Sequence, residues 1–446
     1  MLKSFKNIEP LVASIERLAT TPDQFLKTPA QREMVSNALN GQLSKTLRDV
    51  VPISTLHAYG AFFTSDSMAD KLIEDLTDEQ IMQSRVFDAS CGGGNLLLAY
   101  ARRLPVQRTL NATVLAWGEQ IYGFDIQPSF IRSTRARLVL LAAYRGSDLY
   151  GDDFFADSRE VMEQPFPHLR VCDALNVDWP HAEITLLNPP YNRVQSLPGC
   201  TWATGKVSQA ANFIVKALEK SRPGDLVHAI LPDVLRAGSN YRSWREEISQ
   251  SARIAHINIL GQFDADTGVD VFRCIFEQSA EILERRSFWP SNVNDIHLDM
   301  QTKLGDFFDI SVGRVVPHRD KEVGKEYPYL HAKVLEPWAV IRADKEFRRF
   351  TGTTSQPPFV IIRRSSRSSD SYRAVGTVVR RAGSENTTIA VENHLLIVRP
   401  KSGLLRDCKE LLKRLKMQQT NDWLNERIRC RHLTVGSVRD LPWWDV

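Results

Sequence analysis

The sequence predicts an α/β protein whose central domain is a doubly wound sheet, followed by a mixed α+β domain. From Arg85 onward, short apolar runs alternate with segments of helical periodicity, which is typical of a parallel sheet covered by helices. Ile184–Leu187 is an almost continuous apolar run, as expected of a strand that is buried on both faces. The glycines at 92–94 come shortly after a predicted strand, where sheets of this kind bind ligands. The sequence therefore places a ligand crevice at the carboxyl ends of the strands.

The composition is that of an ordinary protein with several domains. The 446 residues allow two or three separately packed cores, and 43% of them are hydrophobic and 25% charged. No apolar run approaches the ~20 residues that span a bilayer, and the first residues lack the apolar core of a signal peptide. The six cysteines are scattered, without a C-x-x-C pair or the spacing of metal ligands. We therefore expect a cytoplasmic protein with reduced thiols and no bound metal.

Residues 1–50 form a predicted helical segment. Leu11, Ile15 and Leu18 recur at helical spacing, and a second helical pattern covers Met34–Leu47. The alternation of strands and helices begins only after this segment, so we expect the helices to precede the α/β domain.

The α/β domain is predicted over residues 51–295. Its predicted strands are Val86–Asp88, Ile121–Phe124, Val171–Cys172, Ile184–Leu187, Leu226–Leu231 and Ile254–Leu260. Its predicted helices are Asn95–Arg103, Pro128–Tyr144 and Asn212–Glu219, the second of which has proline in its first turn. A further strand, Val269–Phe276, is expected to run antiparallel to its neighbour.

Residues 296–446 are predicted to form a mixed α+β domain. The alternation stops near residues 290–302, and short β-like runs follow, separated by loops rich in Ser, Arg and Gly. These runs are Phe359–Ile362, Gly376–Val379, Thr388–Val391 and His394–Val398. One helix, Leu404–Leu415, and a polar end complete the predicted domain.

The formal charge of +4 hides an uneven distribution. From Gln301 to the end there are 27 Lys and Arg against 17 Asp and Glu, whereas the preceding residues are acidic overall. A basic surplus confined to one part of a chain is typical of a protein with a polyanionic partner. The alternative is a solvated basic surface, and the choice depends on the chemistry of the remaining sequence.

The tetrapeptide Asn188-Pro189-Pro190-Tyr191 comes directly after the predicted buried strand. Its two prolines fix the backbone and remove two N–H donors, which makes a stiff turn. Such a turn suits carbonyl oxygens that hold an amino group, with an aromatic ring stacked on the planar group that carries it. Asn and Pro are also ordinary turn residues, so the tetrapeptide alone leaves a simple strand-ending turn open.

The segment Asp88–Asn95 does not match two common phosphate-binding loops. A dinucleotide-binding loop has the pattern G-x-G-x-x-G with an acidic residue about 20 positions later, whereas Asp125 lies 37 positions after Asp88. A P-loop needs a lysine that is missing here. The loop therefore suits a small zwitterionic nucleoside. Asp125 and Asp173, at the ends of the next two strands, could accept hydrogen bonds from ribose hydroxyls and from an adenine amino group.

In this order the motifs resemble S-adenosylmethionine-dependent amino-methyltransferases, in particular the adenine-N6 DNA methyltransferases of the γ order. The resemblance covers residues from about 57 to 276 and implies a Rossmann-like methyltransferase sheet. Ala61–Ser65 is similar to the family's upstream motif and Asp88–Gly94 to its cofactor loop, with Ala-Ser-Cys where Pro-Ala-Cys is more usual. By this resemblance the cofactor is S-adenosyl-L-methionine. The residues implied to bind it are Phe63, Thr64, Asp88, Ala89, Gly92, Gly94, Asp125, Ile126, Asp173, Ala174 and Asn188.

The resemblance also implies a mechanism for the N-P-P-Y tetrapeptide. The Asn188 side-chain oxygen and the Pro189 carbonyl would accept the two N6–H bonds of an adenine, which raises the electron density of a poor nucleophile. Tyr191 would stack on the base, which must be flipped out of the duplex. Phe263 matches the family's second base-contacting aromatic residue. A core position is the simpler alternative for Phe263, and Phe272 is its competitor for the role.

Two C-terminal segments look similar to the target-recognition domains of type I specificity subunits and of fused restriction–modification enzymes. They are Leu304–Val315 and a distal segment made of two runs, Asn425–Arg429 and Leu433–Pro442. The resemblance implies double-stranded DNA as the partner. The candidate DNA contacts are Arg314, Arg363, Arg364, Arg367, Arg380 and Arg381.

A fused nuclease would need roughly 100–150 further residues before the methyltransferase motifs. Only some fifty helical residues precede the upstream motif in this sequence. We therefore expect a modification enzyme, with a separately encoded restriction endonuclease as an open partner and with monomer or dimer undecided.

Other functions stay open. RNA methyltransferases acting on adenine or guanine and release-factor glutamine methyltransferases share the N-P-P-Y core, although the glutamine enzymes usually lack a long basic C-terminal region. A non-catalytic DNA-specificity component with a purely structural cofactor fold is the other alternative. Zinc deaminases are disfavoured, because the ten histidines are dispersed and no H-x-E…C-x-x-C set exists.

Overall fold

The computed structural model divides the chain into two compact units. The first comprises Met1–Pro232 and Ser243–Ser287, and the second comprises Asp233–Arg242 and Phe288–Val446. The described residues are 8–40, 45–46, 49, 51, 64–146, 165–263, 268–286, 289, 302–366, 370–381, 387–428 and 432–444. None of the helices in these ranges combines the length and the apolar character that a membrane crossing requires.

The first unit begins with helices, as predicted. They are α1 (Glu9–Thr20), α2 (Pro22–Phe25) and α3 (Pro29–Leu39). Helix α1 buries Val12, Ile15 and Leu18, the face that helical spacing predicts. Helix α3 begins before the predicted Met34, because Thr28 caps it in a capping box with Gln31 and proline occupies its first turn.

A seven-stranded sheet forms the centre of the first unit. Its strands are β1 (Val86–Asp88), β2 (Ile121–Asp125), β3 (Leu169–Val171), β4 (Ile184–Leu187), β7 (Leu226–Pro232), β8 (Ala252–Gln262) and β9 (Asp270–Gln278). The strand order is β3-β2-β1-β4-β7-β9-β8, and β9 runs antiparallel to both of its neighbours. The predicted doubly wound sheet and its antiparallel strand are therefore confirmed. Two short strands, β5 (Arg193–Gln195) and β6 (Lys206–Ser208), pair separately as a hairpin.

Helices cover this sheet. Those of the first unit are α4 (Asp66–Ile73), α5 (Asp78–Gln83), α6 (Asn95–Ala101), α7 (Leu110–Gln120), α8 (Pro128–Tyr144) and α9 (Gln209–Lys220). Helix α10 (Asp233–Ala237) belongs to the second unit, and α11 (Arg242–Ser251) starts at the boundary and lies in the first unit from Ser243 onward. Helix α8 is buried along most of its length, in the main core of the unit. Helix α7 has no counterpart in the prediction, although Thr109 caps it by accepting a hydrogen bond from the Ala112 N–H.

The second unit is mixed α+β, as predicted. It contains α10 (Asp233–Ala237), a short 3₁₀ turn (Ser239–Tyr241), β10 (Phe308–Val312), β11 (Lys325–Leu330), β12 (Val340–Ile341), β13 (Phe347–Phe350), β14 (Phe359–Arg363), β15 (Gly376–Val379), β16 (Ala390–Val391) and β17 (Leu395–Pro400). Its sheets have the orders β10-β17-β14-β15-β12 and β13-β11-β16. Its remaining helices are α12 (Leu304–Phe307), α13 (Leu405–Leu415), α14 (Gln418–Arg427) and α15 (Val435–Arg439).

The predicted polar end after α13 is wrong, because two further helices follow. Helix α14 buries polar residues together with their hydrogen-bond partners, so its sequence lacks an apolar stripe. The Thr420 hydroxyl donates to the Arg414 carbonyl at 2.7 Å, and the Asn421 side-chain oxygen accepts from the Arg373 N–H at 2.8 Å. Burial of paired polar groups leaves no periodic hydrophobic signal in the sequence.

Candidate active site

Three residues of the predicted site lie at one edge of the seven-stranded sheet. Asp88 ends β1, Asp125 ends β2 and Asn188 follows β4, and β1 is hydrogen-bonded in parallel to both β2 and β4. The carboxyl ends of these strands therefore share an edge. The direction in which the strands are added reverses between β1 and β4, and ligand crevices of doubly wound sheets lie at such a point.

The glycine loop between β1 and α6 is pressed against its surroundings. Gly92 and Gly94 have φ values of 52° and 86°, which favour glycine. The Thr134 hydroxyl donates to the Gly92 carbonyl at 3.0 Å, and a Cβ atom on Gly94 would come within 2.7 Å of the Thr134 methyl carbon. The Gly92 N–H donates to the Asp125 carboxylate at 2.9 Å. At Gly94 the loop therefore approaches α8 at a distance that only glycine allows, and the Gly92 N–H joins the loop to Asp125.

Burial raises the pKa of both carboxyl groups at this edge. Desolvation raises the pKa of Asp88 to about 8, although the Ser90 N–H lowers it and the charge of Asp125 raises it further. Desolvation raises the pKa of Asp125 to about 6, against hydrogen bonds from the N–H groups of Gln127 and Gly92 that lower it. Two carboxyl groups with raised pKa values favour a cationic ligand, because a nearby positive charge stabilises their ionised forms.

Other groups at the loop fit a small polar ligand. The Ser90 hydroxyl is buried without a hydrogen-bond partner among the described residues. Ile126, next to Asp125, leaves 48% of its surface exposed, while Ala89 and Ala174 are buried. A nucleoside with a positively charged substituent could make contacts with all of these groups. It could bond to the buried hydroxyl, pack against the exposed aliphatic side chain and stabilise the ionised forms of the two carboxyl groups.

Asp173 follows β3 but is engaged in its own turn. Its carboxylate accepts from the Leu175 N–H at 3.0 Å and from the Asn176 side chain at 2.8 Å, and it is exposed. The ammonium group of Lys216 donates to the carbonyls of Ala174, Leu175 and Val177. Lys216 therefore holds this loop in place. The adenine contact of Asp173 stays a prediction.

The predicted catalytic tetrapeptide forms a hydrogen-bonded cluster. The Asn188 side-chain nitrogen donates to the Thr64 hydroxyl at 2.8 Å, and the Tyr191 hydroxyl donates to the Asn188 side-chain oxygen at 2.6 Å. The Tyr191 hydroxyl also lies 3.4 Å from the Ile230 carbonyl oxygen. Burial raises the pKa of Tyr191 well above its usual value, so its hydroxyl is neutral. Pro189 is buried and Pro190 is half-buried.

Phe263 lies beside Tyr191. The two ring centroids are 6.0 Å apart and the rings are nearly perpendicular, at 88°. The Phe263 N–H donates to the Val269 carbonyl at 2.8 Å, which pairs the residue after β8 with the residue before β9. Phe263 also belongs to the hydrophobic core, which is the simpler of the two interpretations from the sequence. Its contact with a base stays a prediction. Phe272 lies inside the sheet, fully buried and opposite Leu231.

The structure brings together residues that the sequence did not connect. Asn95 donates to the Thr64 carbonyl, and Arg137 donates to the Asn95 side-chain oxygen. Arg137 stands directly before the apolar run of α8, and this position is the signal that could have indicated a buried, paired cation. Phe63 and Arg367, both predicted site residues, lie outside the described residues.

The candidate DNA-contacting arginines that the structure describes in the second unit fall into two groups, because Arg314, Arg363 and Arg364 lie near Asn393 and Leu395, whereas Arg380 and Arg381 follow β15. Arg314, Arg380 and Arg381 are exposed. Arg363 and Arg364 are half-buried and donate to the carbonyls of Leu335 and Asn393 at 3.0 Å each. Strands β14 and β15 are antiparallel, with Ile362 opposite Gly376 and Phe359 opposite Val379, so Arg363 and Arg380 follow opposite ends of this pair.

No protein-family model matches the chain, and no curated protein matches it. Several solved structures are similar to it. The modification subunit of a putative type I restriction enzyme from Vibrio vulnificus YJ016 has a TM-score of 0.38 and 17% identity, over 54% of this chain and 49% of that one. The type I restriction–modification methyltransferase subunit from Streptococcus thermophilus has a TM-score of 0.35 and 17% identity, over 49% and 45%.

The type IIG restriction endonuclease BpuSI has a TM-score of 0.36 and 13% identity, over 86% of this chain and 58% of that one. The matched part spans about half the length of the two type I subunits, at 49% and 45%. Likenesses at this level do not assign a function to this chain. The chain is thus an α/β protein whose candidate site is defined by its own geometry at the edge of β1, β2 and β4.

Proposed function

We propose that this protein transfers a methyl group from S-adenosyl-L-methionine to N6 of an adenine flipped out of duplex DNA. The observation that carries the proposal is the Asn188 side-chain amide, held between the hydroxyls of Thr64 and Tyr191 next to the glycine loop. An amide oxygen in this position can accept a hydrogen bond from an amino group. The protein itself needs no nucleophile or general base when the transferred methyl group is already activated, because the amino group of the base is the nucleophile.

The residues of the loop edge fit the proposed cofactor, which supplies an activated methyl group on a positively charged sulfur. Asp125, at the end of β2, would accept the ribose hydroxyls, and Ile126 would cover the nucleoside. Asp88 would carry its negative charge close to the cationic part of the ligand. The Ser90 hydroxyl, buried without a partner in the described residues, offers a further hydrogen bond.

In the proposed mechanism Asn188 and Pro189 orient the amino group of the base. A carbonyl oxygen has two lone pairs, so the Asn188 side-chain oxygen can accept from the amino group while Tyr191 still donates to it. The Pro189 carbonyl accepts the second N–H. The nitrogen lone pair forms the new bond to the methyl carbon as the carbon–sulfur bond breaks, and the nitrogen then releases one proton to solvent. Tyr191 would stack on the flipped base, and Phe263, whose ring meets the Tyr191 ring edge to face, would be the second aromatic contact.

We further propose that residues 296–446 recognise the DNA duplex and that residues 51–295 carry the transfer chemistry, after the helical segment 1–50. The basic surplus after Gln301 supports this assignment, because phosphate contacts dominate the affinity for DNA. We also propose that the protein belongs to a restriction–modification or related defence system with a separately encoded endonuclease. It would act at the nucleoid in the cytoplasm.

One assay tests this function against its alternatives. The full chain is incubated with radiolabelled S-adenosyl-L-methionine and, separately, with duplex DNA of many sequences, with RNA and with a release factor, and the products are digested. We expect N6-methyladenine from the DNA alone. Label in RNA or in glutamine would replace the proposal with one of the other methyltransferase classes. No label in any substrate would favour a non-catalytic component.

A further inference from the structure

We propose that Asn95 and Arg137 are positioning residues for the Asn188 side chain and act on it through Thr64. The chain of contacts runs from Arg137 to Asn95, from Asn95 to Thr64 and from Thr64 to Asn188. The placement of Asn188 is a structural statement, and only its effect on methyl transfer rests on the proposed function.

Arg137 anchors this chain of contacts. It is fully buried and donates to the carbonyls of Ala38 and Leu39 at 2.9 Å each, and also to the Gly93 carbonyl. Ala38 and Leu39 end α3, where helix carbonyls lack partners within the helix and carry partial negative charge. Burial lowers the pKa of Arg137 to about 10, which still leaves it charged at neutral pH.

Arg137 also determines which way the Asn95 amide points. An arginine side chain has donors only, so the group of Asn95 that lies 2.7 Å from Arg137 must be its oxygen. The Asn95 nitrogen then points to the Thr64 carbonyl, an acceptor, at 2.5 Å. Asn95 is almost completely buried, at 7% exposure, so water does not compete at these contacts. Each end of the Asn95 amide therefore meets a partner of fixed polarity.

Thr64 connects Asn95 to Asn188, because its carbonyl bonds to one side chain and its hydroxyl to the other. The Asn95 amide holds the Thr64 carbonyl, and the hydroxyl of the same residue lies 2.8 Å from the Asn188 side-chain nitrogen. The oxygen of the same amide then points to the Tyr191 hydroxyl. If the Asn188 amide turned over, its N–H groups would face the amino group of the base, donor against donor. A displacement of the reacting groups by ~1 Å can lower a rate by about 10²-fold.

The test uses two substitutions that keep side-chain volume and a third, Thr64→Ser, that keeps the hydroxyl. Asn95→Asp keeps the acceptor for Arg137 but replaces the donor that holds the Thr64 carbonyl. Thr64→Val removes the hydroxyl that meets Asn188, and Thr64→Ser restores it. The matched control is Thr113→Val, since Thr113 is another buried threonine, and its hydroxyl bonds to main-chain groups of Gln107 and Thr109.

Two quantities are measured for each variant. The first is the single-turnover rate of methyl transfer, with cofactor affinity measured alongside. The second is the side-chain amide signal of Asn188 in protein labelled with ¹⁵N-asparagine, assigned by its loss in Asn188→Ala. We expect Asn95→Asp and Thr64→Val to lower the rate by roughly 10–100-fold and to shift the Asn188 signal. Asn95→Asp should bind the cofactor as the wild type does. Thr64→Ser should recover most of the rate, and Thr113→Val should change neither quantity.

The two measurements separate this inference from the proposed function. If wild-type protein transfers no methyl group while Asn95→Asp and Thr64→Val still shift the Asn188 signal, the positioning role stands and the proposed function fails. If the Asn188 signal stays in place in both variants, the positioning role is overturned whatever the activity. If Asn95→Asp does not fold, the Thr64→Val and Thr64→Ser pair decides in the same way.

Discussion

The carboxyl edge of the seven-stranded sheet and the five-stranded sheet of the second unit differ in how their predicted site residues are arranged. At the first, Asp88, Asp125 and Asn188 end or follow neighbouring strands, and Thr64 contacts Asn188. On the second, Arg363 and Arg380 lie at opposite ends of one strand pair. Three residues predicted from ordered motifs therefore lie at one edge, whereas the arginines predicted from charge divide between two ends of a sheet.

The two sets of residues differ in this way because they were predicted from different kinds of sequence pattern. The end of a parallel strand has a defined place, because its neighbours end at the same edge of the sheet. A basic residue in a loop has no such constraint, and its long side chain can bond to nearby carbonyls instead of a ligand. Arg364 does so, since it donates to the Asn393 carbonyl at 3.0 Å. We therefore expect substitutions at the first sheet to change the rate of methyl transfer and substitutions at the second to change stability or DNA affinity.

The largest effect is expected for Asn188→Ala. Loss of the amide oxygen should lower the rate of methyl transfer by about 10²–10³-fold, the range found when one group that stabilises a transition state is removed. Cofactor affinity, measured by calorimetry, should stay close to that of the wild type. The control is Asn258→Ala, since Asn258 is exposed on the edge strand β8. An unchanged rate in Asn188→Ala would show that the residues that lie together at the strand ends do not catalyse methyl transfer.

A smaller effect concerns the pH dependence of stability. Because the pKa of Asp88 is about 8 in the folded protein and near 3.8 without the fold, folding favours its protonated form. The resulting stabilisation, on the order of a few kcal/mol, is complete below pH 4 and is lost as the pH rises through 8. Asp125, with a pKa of about 6, contributes over the lower part of this window.

Urea unfolding between pH 4 and 9 tests this expectation. The wild type should become less stable as the pH rises. Asp88→Asn should lose the whole decrease between about pH 6 and 8 and part of the decrease between pH 4 and 6, where only the contribution of Asp125 remains. Cofactor binding should release a proton near pH 7, measured by calorimetry in buffers of different ionisation enthalpy, because a cation lowers the pKa of Asp88. Equal slopes in the wild type and Asp88→Asn would contradict the raised pKa.

The smallest effects are expected for single arginines of the second unit. Arg314→Gln and Arg380→Gln should leave stability unchanged, because both side chains are exposed. If these side chains contact phosphates, each change should lower the slope of log affinity against log salt by about 0.9. Arg364→Gln should instead lower the free energy of unfolding by about 1–3 kcal/mol, since it leaves a carbonyl without its charged donor.

Thermal unfolding and DNA binding at several salt concentrations measure both effects. An Arg364→Gln protein of wild-type stability but with a weaker salt dependence would show that Arg364 contacts DNA and does not hold the loop. Unchanged salt slopes for Arg314→Gln and Arg380→Gln would remove these two arginines from the interface.

Much of the fold could be predicted from local patterns. The strand Ile184–Leu187 is found with its predicted bounds, because a strand buried on both faces shows a continuous apolar run. The antiparallel strand β9 is also confirmed. Helix α14 could not be predicted in this way, since its buried Thr420 and Asn421 are satisfied by partners distant in the sequence or outside the helix. The roles of the predicted site residues stay predictions.

The sequence by itself determined which residues stand at the ends of the strands, because strand periodicity, glycines and prolines are local properties. It thereby placed Asp88, Asp125 and Asn188 at one edge of the sheet. Only the tertiary structure decided which partners hold them there. Arg137 lies 42 residues from Asn95, and Thr64 lies 124 residues from Asn188. Hydrogen bonds over such separations depend on how helices pack on the sheet, and no local pattern in the chain encodes them.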